Sequence, residues 1–398
     1  MKLLQINGGV FSSTGNIMFS IAQKAQEMGM ETLCVSPVTI TNRNREPKYP
    51  YVKIGSYNSR RASVLLSRIT GYNGCFAYRA TKKLLKTIVN FAPDVIHLHT
   101  LHDSYINLPM LFNYIKKHKI RTFWTLHDCW SFTGHCVHFT ISGCNKWKSG
   151  CLACPSYKNY PASCFDNSKK MYRLKKRWFL GVEDMTLITP SKWLNDLVKQ
   201  SFLKDYPAIV VNNGIDLEIF KPTESEFRKK YGLEGKKIVL GVSFCWGYSK
   251  GLDVFIDLAN RLPKDYTVVL VGTDKDTERL LPENILFIRQ TQNQAELAEI
   301  YSSADVFANP TREDNYPTVN MEALACGTPI VTFRTGGSPE CIDNSCGTVV
   351  GYNDNDAMLS EILHVCEDKP YSKENCIKRA SCFNKEDKFF DIVKAYQK

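Results

Sequence analysis

ANPTREDNYPTVNMEALACGTPIV, from Ala308 to Val331, carries the clearest local grammar in this chain of 398 residues. The runs that flank it, DVFAN on one side and PIVTF on the other, read as short strands of the kind buried in a parallel sheet. Between them Pro317 suits the first turn of a helix and Gly327 a stop after it, so the spacing predicts a helix over Thr318–Ala325. Asp314 then falls in the loop before that helix and Glu322 inside it, with Pro317 breaking any continuous helix through both. The first-turn amides, with Thr318, form a receiver for diphosphate, because the helix dipole and the unpaired N–H groups both favour an anion. A turn further in, the Glu322 carboxylate can accept hydrogen bonds from ribose hydroxyls. Alone, each of these carboxylates reads equally well as an inert surface charge; the constellation gives them weight.

The same strand–helix alternation extends in both directions. KIVLGV, TVVLVG and ILFIRQ read as strands, with helices at Leu252–Arg261 and Ala295–Ser302, and IVVNN near Ala208 reads as the opening of this second series. Upstream, KLLQIN, ETLCVS, DVIHLH, RTFWTL and TLITP read as strands. Helices follow through IMFSIAQKAQEMG, around Tyr105–His118 and from Ser191. A basic, loop-rich stretch around residues 41–73 is expected to be irregular. Two α/β series in tandem predict two Rossmann-like, doubly wound domains facing a central cleft, with ligands beyond the carboxyl ends of the strands. The expected boundaries are 1–205 for a first domain, with a cysteine-rich insertion at about 128–165. A second domain follows over 206–380. A charged helical tail over 381–398 completes the chain, with a return to the first domain as one option.

Composition narrows the function classes. A hydrophobic share of 43% and a charged share of 23% are those of a globular chain. No apolar run approaches the ~20 residues that span a bilayer. The opening MKLLQINGG reads as a buried strand and lacks the longer apolar core of a signal peptide, so a cytoplasmic location is expected. The formal net charge of +11 calls for a negative partner: nucleic acid, an anionic membrane face or a phosphorylated substrate. Lys and Arg are spread along the chain with small concentrations, such as Lys169, Lys170, Arg173, Lys175, Lys176 and Arg177 ahead of Trp178 and Phe179. That pattern fits an interfacial helix face, and a solvated face equally.

Three further features invite chemistry. The loop NGGVFSSTG places Gly8, Gly9 and Gly15 between strand and helix, where backbone can approach a ligand closely. The spacing is not G-x-G-x-x-G, and a purely structural turn is the alternative. His127 ends the RTFWTL strand, at the end where ligands bind in such sheets. His97 and His99 alternate onto one sheet face; His97 reads as a packing residue. In TGGSPE, Gly336, Gly337 and Glu340 form another strand-to-helix turn beside a ligand. Finally, Cys136, Cys144, Cys151 and Cys154 follow C-x7-C-x6-C-x2-C within a chain of fifteen cysteines. Four thiolates suit tetrahedral structural zinc, with Cys129, His135, His138 or Cys164 able to replace one ligand. Unliganded buried thiols, an iron–sulfur cluster and a redox pair are the alternatives.

VNNGIDLEIFKP, the Lys–Gly of SKGLDVFI, the ED-N-Y-P-T-V-N-M-E-A-L-A-C-G-T-P block and TGGSPE, in this order, resemble family 4 glycosyltransferases. LHDCWSFTGHC with the later GC and CP resembles a bacterial subgroup that builds capsular, exopolysaccharide or lipopolysaccharide oligosaccharides. The resemblance covers essentially the whole chain and implies the GT-B fold and a retaining, hexosyl-type transferase. Its donor would be a nucleotide sugar, UDP- or GDP-linked, with no catalytic metal. On the family's pattern, Asp314 touches the transferred sugar, Glu322 holds the nucleotide ribose, and Lys250 grips the donor diphosphate. Backbone at Asn315 and Tyr316, with Thr318 and Gly337, would line the donor phosphates. His127 matches the family histidine near the transferred sugar, and Gly8 and Gly9 the loop facing it. Two departures stand out: Asp314 replaces the usual Glu, and SFCWGYSK lacks the arginine that usually precedes the lysine.

The implied acceptor is a glycan or a polyprenyl-diphosphate-linked oligosaccharide, which would place the chain peripherally on the inner face of the cytoplasmic membrane, against its anionic surface. Nucleic acid is not an expected partner. Two rival readings remain at this level. One is a basic, zinc-bearing nucleic-acid binder, which two full α/β series make unnecessary; the other is a nucleotide-sugar epimerase of the same fold.

Overall fold

Runs such as KLLQI and KIVLGV are apolar at almost every position, so they are stable only where both faces of a sheet are covered by helices. The computed structural model, which describes residues 1–45, 47 and 49–398, places them in two such sheets. The first sheet holds β1 (Lys2–Ile6), β2 (Glu31–Pro37), β3 (Val52–Ile54), β4 (Val95–Leu98), β5 (Arg121–Thr125), β6 (Met185–Thr189) and β7 (Ala208–Val210). Their spatial order is β3-β2-β1-β4-β5-β6-β7, and every pairing is parallel. The second holds β8 (Lys237–Val242), β9 (Tyr266–Val271), β10 (Ile285–Ile288), β11 (Val306–Asn309), β12 (Ile330–Phe333) and β13 (Gly347–Val350). Its order is β10-β9-β8-β11-β12-β13, again parallel throughout. In both, the strand order reverses beside the first strand of the series, the switch point where α/β sheets bind ligands.

The chain divides into two units, Met1–Asn212 with Lys388–Lys398, and Asn213–Asp387. Ala208–Val210, read from sequence as the opening of the second series, is instead the edge strand of the first sheet. Its short apolar run finds a partner in β6 before the chain leaves the unit. The last helix, Lys385–Tyr396, contributes Phe389, Ile392, Val393 and Tyr396 to a cluster with Leu3, Ile21, Val95 and Phe123 of the first unit. Tyr396 is further fixed there by a 2.6 Å hydrogen bond from its hydroxyl to His97 Nδ1, and its carbonyl accepts from Arg121 at 2.9 Å.

The stretch expected to be irregular, 41–73, contains β3 and a fourteen-residue helix, Tyr57–Thr70, capped by Ser56 and ended by Gly71 at φ 73°. Glu46 and Lys48, within that stretch, lie outside the described residues. The basic helix expected to offer an interfacial face, Ser168–Phe179, buries Met171, Tyr172, Trp178 and Phe179, and Lys175 with them. With its aromatics turned inward, it presents only solvated charges. Among the described residues no helix is long and apolar enough to cross a membrane.

Candidate active site

The site in the second unit is built where β8 and β11 end. The turn Tyr248–Lys250 lies against the end of β11, because Gly251 (φ 73°) lacks a Cβ that would stand 2.5 Å from the Pro310 carbonyl oxygen. Arg312 holds this turn from below. Its guanidinium donates to both Asp253 carboxylate oxygens (2.7 and 2.8 Å), to the Tyr248 carbonyl (2.6 Å) and to Asn353 Oδ1 (2.6 Å), and stacks 3.9 Å over the Tyr248 ring. So placed, Lys250 Nζ donates to Asp314 Oδ2 at 2.6 Å. Gly336 (φ 53°) presses on the other side of Asp314: a Cβ there would lie 1.7 Å from the Asp314 carbonyl oxygen, so only glycine fits.

Helix Thr318–Ala325 starts at Pro317 with no side-chain cap, which leaves its first-turn amides facing the loop that carries Asp314. Its position is fixed by a buried polar chain. Asn309 Nδ2 donates to Asn320 Oδ1 (2.7 Å), Asn320 Nδ2 donates to Ser338 Oγ (3.0 Å), and Ser338 shares a 2.8 Å hydrogen bond with Thr332. Strand, helix and the TGGSPE turn are thereby locked together. Glu322 is half-buried; Tyr301 donates to its Oε2 at 3.2 Å. Burial pushes the carboxyl up to about 7, with the Tyr301 and Thr318 hydroxyls opposing only in part. The Tyr316 ring faces the core, edge-on to Phe383, and Asn315 is likewise buried, so neither exposes a side chain to a ligand. Gly337 caps the short turn Ser338–Cys341.

In the first unit, Gly8, Gly9 and His127 line one cavity of about 410 Å³ beyond the ends of β1, β4 and β5. Gly8 leaves room for its neighbours, since a Cβ there would stand 2.9 Å from Asp103 Oδ2 and 3.3 Å from the Thr100 carbonyl oxygen. A hydrogen-bond relay sets the His127 tautomer. Gln5 Nε2 donates to the Met18 carbonyl (2.9 Å), so Gln5 Oε1 accepts from His99 Nε2 (3.0 Å). His99 Nδ1 is then an acceptor, and His127 Nε2 donates to it at 3.1 Å. The relay assigns the lone pair to His127 Nδ1. Burial pulls His127 down to about 4, against the pull of Asp128, so near neutrality it is an uncharged imidazole able to accept a hydrogen bond. His97 is the packing residue expected, hydrogen-bonded to Thr125 (2.7 Å) and Tyr396.

The same cavity holds residues the sequence reading passed over. His102 Nε2 pairs with Asp128 Oδ2 at 2.8 Å, and Tyr160 donates to Asp103, which also faces Arg60 at 3.6 Å. Burial opposes the charge on His102, but Asp128, with Asp103 behind it, outweighs that and the net shift is upward. Desolvation opposes the charge on half-buried Asp128 as well, and His102 nonetheless draws its carboxyl down to about 2. The signal was present: TLHD occurs twice, at Thr100–Asp103 and at Thr125–Asp128, after two adjacent strands. The histidine of the first copy pairs with the aspartate of the second.

The zinc expectation finds no support here. Among the described residues no three His, Cys, Asp or Glu side chains are gathered as a metal set. Cys136 and Cys154 hydrogen-bond to each other, which raises the first thiol and lowers the second. Cys151 Sγ accepts from the Gly134 amide at 3.1 Å. A cation already serves this region: buried Lys175 donates to the Trp130 and Thr133 carbonyls (2.5 and 2.9 Å) and sits 3.4 Å over the Trp130 ring. The insertion is also held by packing, with Trp147 against Phe132 and Phe139. None of the four cysteines forms a disulfide.

Two parallel-sheet α/β units of this kind are those of GT-B glycosyltransferases. Sucrose-phosphate synthase from Thermosynechococcus elongatus superposes with a TM-score of 0.75 at 16% identity, over 100% of this chain and 98% of that one. Anabaena Alr3699/HepE, solved in complex with UDP and glucose, gives 0.70 at 15% identity over 100% and 99%. Residues 15–219 match the family described as Glycosyltransferase Family 4, and residues 236–368 that described as Glycosyl transferases group 1. The chain belongs to glycosyltransferase family 4. Among curated proteins, it is 27% identical over 279 residues, 67% of each chain, to one named for colanic acid biosynthesis as the glycosyl transferase WcaC, from Escherichia coli K12. The reading as a basic nucleic-acid binder falls with that membership.

Proposed function

We propose that this chain transfers a hexosyl group, with retention, from a UDP- or GDP-linked sugar to a growing surface polysaccharide. The acceptor is lipid-linked, through a polyprenyl diphosphate, and the protein works peripherally at the inner face of the cytoplasmic membrane. The observation that carries the reading is the Lys250–Asp314 pair beside an uncapped helix start. A lysine and a helix start without a side-chain cap flank the same loop, which suits a diphosphate, and the carboxylate beside them suits the hydroxyls of a sugar. The likeness to WcaC supports the polysaccharide role, and the UDP and glucose bound by Alr3699/HepE support the donor class.

The second unit takes the donor and the first the acceptor. Lys250 and the first-turn amides stabilise negative charge on the departing diphosphate as the anomeric C–O bond breaks. Glu322, with its raised pKa, meets the ribose hydroxyls. Asp314, one methylene shorter than the family's Glu, meets the transferred sugar from slightly further back. Arg312 does not replace the missing arginine of the clamp, because its donors are committed; it orients the turn that carries Lys250. His127 Nδ1 accepts from a sugar hydroxyl. The acceptor oxygen attacks from the face the diphosphate leaves, and a diphosphate oxygen takes its proton, which gives retention without an enzymic nucleophile. The test is a thermal-shift panel of nucleotide sugars on the full chain, followed by NMR assignment of the product anomer. A stabilising UDP- or GDP-sugar and an α-product from an α-donor are expected. No shift with any nucleotide sugar, or an inverted product, would refute it.

A further inference from the structure

Helix Tyr57–Thr70 is inside out. It buries Ser63 and Ser67, one turn apart, and leaves Val64, Leu65, Leu66 and Ile69 exposed at 41, 57, 46 and 47%. Its inner face is satisfied by polar contacts, Ser63 Oγ to the Ser59 carbonyl (3.1 Å) and Ser104 Oγ to Ser67 Oγ (2.9 Å). Its outer face follows the helical repeat: Arg61, Val64, Leu65, Arg68 and Ile69 occupy i, i+3, i+4, i+7 and i+8. A folded chain that buries serines and exposes leucines at one helix has a partner for the leucines.

The charge pattern says which partner. From Pro47 to Pro93 the sequence has nine Lys or Arg residues and no Asp or Glu, so most of the chain's net +11 sits in this one stretch. Arg79, Lys82, Lys83 and Lys86 on the neighbouring helix Tyr78–Phe91 are all exposed. The 160–165 loop runs beside the end of the inverted helix, the Cys164 amide donating to the Arg68 carbonyl at 2.7 Å, and it exposes Tyr160 and Phe165 at 55 and 64%. Exposed aliphatics, flanking aromatics and a net basic surround, in which Arg60 is paired with Asp103, together match the boundary between lipid headgroups and acyl chains. Beneath them a groove of about 790 Å³ is lined by Arg60, Arg61, Arg68, Val64 and Leu65.

We infer that this face of the first unit docks on the surface of an anionic phospholipid bilayer, with Leu65 and Ile69 inserted and the arginines on the headgroup phosphates. It deepens the membrane-peripheral part of the proposed function and rests on that reading, while moving the contact from helix Ser168–Phe179 to Tyr57–Thr70. Docking here would present a lipid-anchored acceptor to the groove and to the polar cavity beside it, which shares Arg60, His102, Asp103 and Tyr160 with it.

Vesicle co-sedimentation of the full chain tests it. Binding to vesicles of phosphatidylcholine with phosphatidylglycerol is expected, falling with added salt, together with weak binding to phosphatidylcholine alone. The pair Leu65→Ser and Leu66→Ser should reduce binding by about tenfold or more. Arg61→Ala and Arg68→Ala should each reduce it about fivefold. Because these side chains are exposed, the melting temperature and the donor-induced thermal shift should match wild type in every variant. Wild-type protein left in the supernatant with phosphatidylglycerol vesicles, or variants that pellet like wild type, would overturn the inference. So would salt-sensitive retention on DNA without vesicle binding. Vesicle binding that follows this pattern in a protein no nucleotide sugar stabilises would uphold the docking face and refute the transferase reading.

Discussion

The carboxyl ends of the two sheets solve opposite electrostatic problems. In the second unit the charged pair Lys250–Asp314 is partly open to solvent, its side chains 34 and 20% exposed, and the helix beside it leaves its first amides uncapped. In the first unit the corresponding end is a closed polar lattice, with Gln5, His99 and His127 in one relay and His102 with Asp128 in a largely buried pair. An open charged site suits a ligand that brings its own charge and leaves as product. A relay of neutral imidazoles fixes the direction of one acceptor atom and suits uncharged hydroxyls. On the proposed function, the comparison assigns donor recognition to charge and acceptor recognition to orientation.

The contrast is broken most sharply at Lys250. Lys250→Ala should lower kcat/KM by about 10²–10³ and raise the donor KM, since it removes a charge that acts on the leaving diphosphate. His127→Ala should lower kcat by a smaller factor, about 10², with the donor KM little changed. Steady-state kinetics separates the two, and a similar rise in donor KM for both would abolish the distinction.

Asp128→Asn tests the buried lattice through stability. Removing one partner of a buried ion pair costs about 3–5 kcal/mol, read by urea unfolding. Its pH dependence has a defined sign. The raised His102 contributes fully below the usual 6.5 and loses its contribution as pH rises through its folded value. The lowered Asp128 contributes above the usual 3.8 and is lost as pH falls through about 2. The gap between wild type and Asp128→Asn should therefore be widest from about pH 4 to 6.5 and narrow at higher pH. A gap constant from pH 5 to 9 would mean that the pair is not ionised.

A subtler effect is expected at Glu322. Its folded pKa of about 7 lies above the usual 4.5, so the native state gains relative stability as pH falls from 7 towards 4.5 and loses it as pH rises through 7. In Glu322→Gln that slope, and any inflection near pH 7 in the donor KM, should vanish. The smallest expected effect concerns the insertion. Chelator treatment should leave the melting temperature unchanged where the packing of Trp147 on Phe132 and Phe139 is enough to hold it, and a fall would restore structural zinc.

Much of the fold was legible because parallel strands declare themselves by composition. Helices Leu252–Arg261 and Thr318–Ala325 were read to the residue from Pro, Gly and periodicity. What was missed is instructive. β3 (VKI) and β13 (GTVV) are too short for a run of apolar or alternating residues to mark them. Helix Tyr57–Thr70 was read as irregular because its apolar stripe is sparse and interrupted by serines and arginines. At the site, Lys250 and Asp314 were legible as residue types, but their 2.6 Å contact was not. The His102–Asp128 pair went unseen because its members are 26 positions apart.

By itself the sequence determined the class of this protein: two series of buried parallel strands, a helix start set between Asp314 and Glu322, and an excess of positive charge. Those follow from propensity, periodicity and composition, which act along the chain. Only the tertiary structure decided which thiols meet, which histidine nitrogen carries the proton, and which helix turns its leucines outward. Each of these depends on groups brought together from distant positions, where burial and hydrogen-bond geometry, and not spacing, set the free energy.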